Sequence, residues 1–557
     1  MQFRSPRCVA TFLAGAAFVS TTFAQSTIYV DEGLTTGLND GSSWADALQT
    51  DDGVRLALLQ SVSGDQIFVK EGTYYPTTGT SRSLAFNLKT GVELYGGFVG
   101  TESDPSERLP LGDAPTILSA DLNENDGLGT ITDNSYHVVN GLNSNATAVL
   151  DGFTVTGGNA NGGTNSDRGG GIICRGSTSP TIRNCHFLSN RCTFGGGAAY
   201  INGSPTFTDV IFEDNFGGSF GGAFDINGGT GIRFDRCTFI GNQASRAGAL
   251  EIFNTNGAVV TNCVFRGNRA TGGSGGGAVW VGSGGSTTFR NNTVVGNIAN
   301  THVAGGLVDA GSNVTVANCV FWDNQGSSGQ NGVNQVSGTT VTYSLIEGGL
   351  AGVGNLSTDP EFVDLAGFDF RLASTSPAID AGSNSQAQPG IDLDHDRTAR
   401  IVDAPSVPDT GVGTGALIDM GAIEYSVGAP DTNCLTLPNS TFDIATLTAT
   451  GSNRVVDNDL DLFAIGLPAS EFGFYLMSRS TTNLPVASGF ICLGSPQYRF
   501  ANNIINSGAG GTLSFTPDLN NLPQMQVITP GETIYFQAWF RDGASANFTT
   551  TLCVEFE

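Results

Sequence analysis

The stretch Ile182-Arg183-Asn184-Cys185-His186-Phe187-Leu188-Ser189-Asn190 decides how this chain folds, because it recurs. Its key positions Ile182, Cys185, Phe187 and Asn190 return as Phe207, Val210, Phe212 and Asn215. They return again as Phe234, Cys237, Phe239 and Asn242, as Val260, Cys263, Phe265 and Asn268, and as Val316, Cys319, Phe321 and Asn324. Val294 to Asn297 supplies the remaining copy, and the six asparagines are 25, 27, 26, 29 and 27 residues apart. A fixed period of this size marks a solenoid.

Within each copy the Cys and Phe positions are two apart, so on a strand they face the same way. Stacking one period on the next places like on like, at about 4.8 Å per rung. The expected product is a set of interior ladders of Phe, Cys and small aliphatics. A column of Asn sits at a turn, where the side chain bonds backbone groups and its neighbour above. A second phrase of two small residues followed by apolar ones interleaves with the first. It occurs at Gly170-Gly171, Gly196-Gly197, Gly221-Gly222, Ala247-Gly248, Gly276-Gly277 and Gly305-Gly306. The period carries no helical pattern, which excludes leucine-rich and helical repeats.

The repeated Phe-x-x-Asn and Gly-Gly-Ala strings over about residues 150–330 resemble the repeat of polymorphic outer membrane proteins. That repeat belongs to right-handed parallel β-helices of the pectin-lyase-like superfamily. The resemblance implies an all-β fold, a right-handed parallel β-helix solenoid, and says almost nothing of chemistry. Ile67 to Tyr74, Val92 to Phe98 and residues 138–158 read as earlier rungs, so the coil is placed at 25–350. After it the strings Asp359-Pro360-Glu361-Phe362, Ser376-Pro377-Ala378-Ile379-Asp380 and Asp419-Met420-Gly421-Ala422-Ile423-Glu424-Tyr425 resemble a segment that closes exported bacterial β-helix proteins ahead of a sorting-type module. Residues 351–428 are therefore expected to cap the coil, since an open end rung is a bare sheet edge. Alternating patterns at 472–477 and 533–540 predict a small β-sandwich over 430–557.

Charge narrows the partners. The chain of 557 residues has 51 Asp and Glu against 24 Lys and Arg, a net charge of −27. That repels nucleic-acid phosphates and anionic lipid, and disfavours a polyanionic substrate unless calcium bridges the like charges. Glycine, at 78 residues, is about twice its usual share of roughly 7% and signals many tight turns. Arg4 and Arg7, the apolar run Val9 to Phe18 and the small-residue site Thr22-Phe23-Ala24 read as a signal peptide over 1–24, which places the protein outside the cell or on its surface. No membrane span is expected. Cys8 leaves with that peptide, and of Cys434, Cys492 and Cys553 two are able to form a disulfide.

Candidate chemistry lies first on an outward column after the small-small phrase: Tyr200, Asp225, Glu251, Trp280 and Asp309. Aromatic faces stack on sugar rings and carboxylates accept sugar hydroxyls. Asp225 and Glu251, on adjacent rungs, fit the separation of about 5 Å of a retaining glycosidase pair. They equally fit a shared calcium ion or an ordinary solvated face. Asp392, Asp394 and Asp396 resemble the start of a calcium loop with Asp403 at its twelfth position, although Arg397 stands where that loop needs glycine. The Cys185, Cys237, Cys263, Cys319 ladder reads as interior packing, with a bridge between Cys237 and Cys263 as the alternative. The polygalacturonase combination of Asn-Thr-Asp, Asp-Asp and Gly-His-Gly is absent. The readings converge on a secreted or cell-surface protein without catalysis, serving adhesion, contact with a polysaccharide or cell-envelope glycan, or envelope structure. Its alternative is a polysaccharide lyase or glycoside hydrolase working through the column, and calcium is the one cofactor the residues suggest.

Overall fold

Parallel strands propagate only if each rung repeats the shape of the last. A computed structural model shows how this chain meets that demand; it describes residues 25–556 apart from 110, 165, 274, 303, 328–331, 405–406, 431–435, 442–443 and 501–502. The expected signal peptide and Cys434 lie outside the described residues.

A typical rung begins with Thr206–Thr208, continues with Ile211–Glu213 and the short Phe216–Gly217, and ends with Phe224–Asn227. Stacked on their counterparts, these make four parallel sheets: a first of eleven strands, a second of ten, a short one of six and a third of nine. Registers run unbroken, as in Ile182↔Phe207↔Phe234↔Val260↔Phe289↔Val316. The first sheet starts at Thr27–Val30 and ends at Val341–Thr342, so the chain is an all-β parallel solenoid.

Two corners per rung need a left-handed backbone. The corner from first to second sheet is Asn184, Asp209, Arg236, Asn262, Asn291 and Asn318, with φ between 49° and 56°. Asn and Asp tolerate that region best. The next corner uses Ser189, Asp214, Gly241, Gly267, Gly296 and Asp323.

Beyond the second corner stands the Asn ladder. Asn190, Asn215, Asn242, Asn268, Asn297 and Asn324 are all at most 1% exposed. Each of the first five amides donates to the next Asn Oδ1 at 2.8–3.2 Å. Each also donates to a carbonyl of the rung below, and its backbone N–H is taken by the Oδ1 above. Gln335 ends the ladder by accepting from Asn324 and donating to Glu347. Beside it Phe187, Phe212, Phe239 and Phe265 stack at 5.4, 5.0 and 4.5 Å between ring centroids. Cys185, Cys237, Cys263 and Cys319 are fully buried free thiols in the same interior, so packing is their role.

The small-small phrase has a steric cause. Gly197, Gly222, Gly248 and Gly277 lie one above another, and a Cβ on any of them would fall under 3.0 Å from the carbonyl oxygen of the next glycine in the column.

The N-terminal end is covered by a short helix, Gly53–Gln60, which buries Val54, Ala57 and Leu58 against the first rungs; the sequence reading held no helix here. At the far end residues 353–356 extend the last rung, through Tyr343 N–H to the Val353 carbonyl and Ile346 N–H to the Leu356 carbonyl. The segment that follows then turns back along the outside of the coil. Phe370, Ala422 and Ile423 pack on Val264 and Val295, and Leu372, Ile379 and Met420 pack on Val320 and Leu345. Much of 351–428 is thus a strap along the flank, where the sequence placed an end cap. After it, antiparallel sheets built around Thr446–Thr450, Asp461–Ile465 and Leu513–Phe515 on one side, and Phe472–Ser478, Thr533–Asp542 and Leu552–Glu555 on the other, share one core that includes Leu462, Tyr475, Phe536 and Val554. In this region Cys492 is disulfide-bonded.

The ladder yields a direct test. Asn242→Ala strands the Phe212 carbonyl and the Asn215 N–H in a dry interior and should cost about 3 kcal/mol in guanidinium unfolding. Asn242→Asp should cost as much, because a carboxylate cannot donate to Asn268 above and the Phe212 carbonyl below. A loss under about 0.5 kcal/mol for either variant would remove the ladder from its structural role.

Candidate functional site

The third sheet carries the expected column, and its register is Asn87, Asn140, Ile173, Tyr200, Asp225, Glu251, Trp280, Val308, Ser337. Tyr200, Asp225, Glu251 and Trp280 are therefore brought together. Asp309 is not among them. It pairs with Val281, one place further on, and its carboxylate accepts from the backbone and hydroxyl of Ser312 at 2.8 and 2.7 Å. The error is a slip of one residue: Gly305, not Gly306, stands over Gly277, and in a strand a one-residue slip moves a side chain to the other face.

Nor is the column an open groove. Over Tyr200, Asp225, Glu251 and Trp280 the chain between the short and third sheets folds across it. Tyr200 and Trp280 are 8% exposed, Asp225 2% and Glu251 1%. Gly195 lies so close over Asp225 that a Cβ there would come under 3.0 Å from Oδ2. Arg246, from the covering row, pairs with Glu251 through two hydrogen bonds, one of them Nε to Oε2 at 3.0 Å. Its guanidinium lies 4.4 Å from the Phe220 ring centroid and 4.0 Å from that of Trp280. Arg168 stacks likewise, 4.1 Å from Phe194 and 5.0 Å from Tyr200. Rings and arginines thus alternate as a lid.

Beneath the lid the two acids differ. Burial, then the neighbouring Glu251, push the Asp225 carboxyl up to about 7. Its Oδ2 has no hydrogen-bond partner. Glu251 is also raised by burial, but Arg246 holds it back toward ionisation. The pair amounts to an acid that holds its proton up to about pH 7 beside a carboxyl group paired with arginine.

The column opens at its lower end. There Thr164, Asp167, Arg168, Arg175, Tyr200 and Asn202 line a cavity of about 270 Å³. Arg175 stands 5.1 Å from the Tyr200 ring, so this cavity offers cationic and amide donors around one aromatic edge.

A second cavity, of about 290 Å³, lies at the corner between first and second sheets. Its polar wall holds two ion-paired acids, Asp151 with Arg108 and Arg183, and Asp209 with Arg397; Arg236, outside the lining, also pairs with Asp209. Leu109, Leu111, Pro438 and Ile444 supply an apolar wall. Sequence spacing held no signal for it, because the four arginines come from four separated segments.

The Asp392, Asp394 and Asp396 set is not gathered at one point. Asp392 is exposed. Asp394 is buried, and its two oxygens accept from the N–H groups of Thr398 at 2.7 Å and Glu424 at 2.8 Å, so it ties a turn to the Asp419–Tyr425 string. In that string Asp419 accepts from the N–H groups of Asp380 and Tyr425, and Glu424 pairs with buried Arg400. These motif acids hold the strap together.

Comparison with known proteins agrees with the geometry at the level of fold. The family described as right handed beta helix region matches residues 170–360. No protein of curated function matches the sequence. Among solved structures, pectate lyase Pel9A is 15% identical, covering 73% of this chain and 98% of its own, with a TM-score of 0.38. The enzymatically active domain of tailspike protein 2 of bacteriophage CBA120 is 12% identical over 96% of this chain and 76% of its own, at 0.27. An alginate lyase from Paenibacillus is 13% identical over 60% and 95%, at 0.18.

The raised carboxyls set the sign of a pH response. Asp225 and Asp419 both sit at about 7 in the folded chain, against roughly 3.9 unfolded. The folded state therefore holds extra protons between those values, and stability contributed by these groups is full below about pH 4 and lost as pH rises to about 7. Thermal melts should show Asp225→Asn stabilising the chain at pH 8 and leaving it little changed at pH 4.5. Equal effects at both values would contradict the buried, proton-holding Asp225.

Proposed function

We propose that this chain is an exported β-helix protein that contacts glycan at the cell surface without cleaving it. What carries this reading is the state of the acid pair: Asp225 and Glu251 are walled in, and Arg246 already occupies Glu251. A hydrolase needs one carboxyl to donate and the other to reach substrate or water, and a lyase needs a base at the sugar carbon. Neither requirement is met by groups below 3% exposure. The open part of the same column, with Arg168, Arg175, Tyr200 and Asn202, supports binding instead. Its donors suit sugar hydroxyls and an occasional carboxylate, while the net charge of −27 disfavours a polymer of dense negative charge.

Export rests on the Arg4, Arg7 and Val9 to Phe18 pattern. No helix of the described residues is long and apolar enough to cross a membrane.

One observation favours the enzymatic alternative. A carboxyl poised near pH 7 beside a second acid is an arrangement that acid catalysis uses. The two readings separate on a panel of neutral and acidic polysaccharides, scored for retention and for chain cleavage. Retention without cleavage, weakened by Arg175→Ala and Asn202→Ala, is the expected result. Cleavage that disappears in Asp225→Asn and Glu251→Gln would establish the enzyme and end the binding-only reading.

A further inference from the structure

Three acids that the sequence left apart meet in the strap. Asp380, Asp403 and Asp409 each place a carboxylate oxygen within 4.8 Å of the other two. Asp403 and Asp409 are exposed, whereas Asp380 is fully buried. Asp380 Oδ2 accepts from the Ala404 N–H at 3.2 Å, but its Oδ1 is buried with no hydrogen-bond partner. Such an orphan is costly, and three like charges at this spacing repel. Among the described residues no Lys or Arg forms an ion pair with any of them.

We propose that Asp380, Asp403 and Asp409 bind one calcium ion, which fastens Asp403 and the stretch 409–412 to the turn at Asp380. The donors are all hard carboxylate oxygens, the set that calcium or magnesium takes and that zinc and copper do not favour. Oxygens bound to one calcium ion at about 2.4 Å are at most about 4.8 Å apart, and the three acids meet that bound. With only three protein carboxylates, the remaining positions fall to water or backbone carbonyls. The scaffold is already closed around the site. The Asp380 carbonyl accepts from Thr410 and Gly411, and Ser383 bridges to Val412. Ala378, Ile379, Ala381 and Ala404 pack with Val320 and Leu345 of the last rungs. An ion here ties Asp403 and Asp409, through Asp380, to the end of the coil.

The test uses the full mature chain, stripped of metal, with calcium titrated by calorimetry and followed in parallel by thermal melting. One ion per chain and a calcium-dependent rise in Tm are expected. Asp403→Asn combined with Asp409→Asn changes only exposed side chains, so the fold persists, and both responses should vanish. Asp392→Asn, outside the cluster, should leave both intact. Absence of calcium binding by the unaltered chain at millimolar concentration, unchanged binding in the double variant, or tighter binding of magnesium than calcium would each overturn the assignment.

Discussion

Every rung of this coil is hydrogen-bonded to the next, so each side chain must coexist with its own kind about 4.8 Å away. That single spacing selects the residues. Asparagine satisfies it because its amide donates upward while its carbonyl accepts from below, and six in a row leave few polar atoms idle. Phenylalanine satisfies it by stacking. Glycine is required where the next backbone approaches inside the room of a methyl group. Carboxylates do not stack on one another. Where Asp225 lies over Glu251, the chain supplies an arginine to one and keeps a proton on the other.

The same constraint accounts for the lid. A bare outward column on a parallel sheet would expose a regular row of side chains. Here Phe194, Phe220, Arg168 and Arg246 repeat with the rungs and close over it. The column stays open where the lid ends, beside Tyr200 and Arg175. The flank is closed in a different way, by chain from far along the sequence. His395 Nδ1 donates to the Asn262 carbonyl, and Arg397 reaches Asn184 and Asp209.

Repetition made the solenoid legible, since each ladder is written in the sequence as a period. The interior columns of Phe, Cys and Asn stand where the spacing put them. Features that do not repeat were hidden. The helix Gly53–Gln60 occurs once, and the arginine pairs at Asp151 and Asp209 are assembled from unrelated segments. Asp309 failed because loops between rungs vary in length, and counting 29 residues from Trp280 where the register needs 28 changes the face. The strap is not written as a period either: it packs on Val264, Val295, Val320 and Trp322, but the same outward columns are already apolar at Leu188, Ile211 and Ile240 in earlier rungs. The calcium loop pattern misled because Asp394 spends its oxygens on backbone N–H groups.

The bond between Arg397 and Asn184 spans 213 residues of sequence. A plain stack of rungs exchanges energy only between nearest neighbours, so it can assemble as it leaves the ribosome and fray from either end. The strap alters that economy. Rungs made early stay provisional until a much later stretch of chain arrives and clasps several of them at once. A local, zipper-like assembly becomes one whose middle and end must open together.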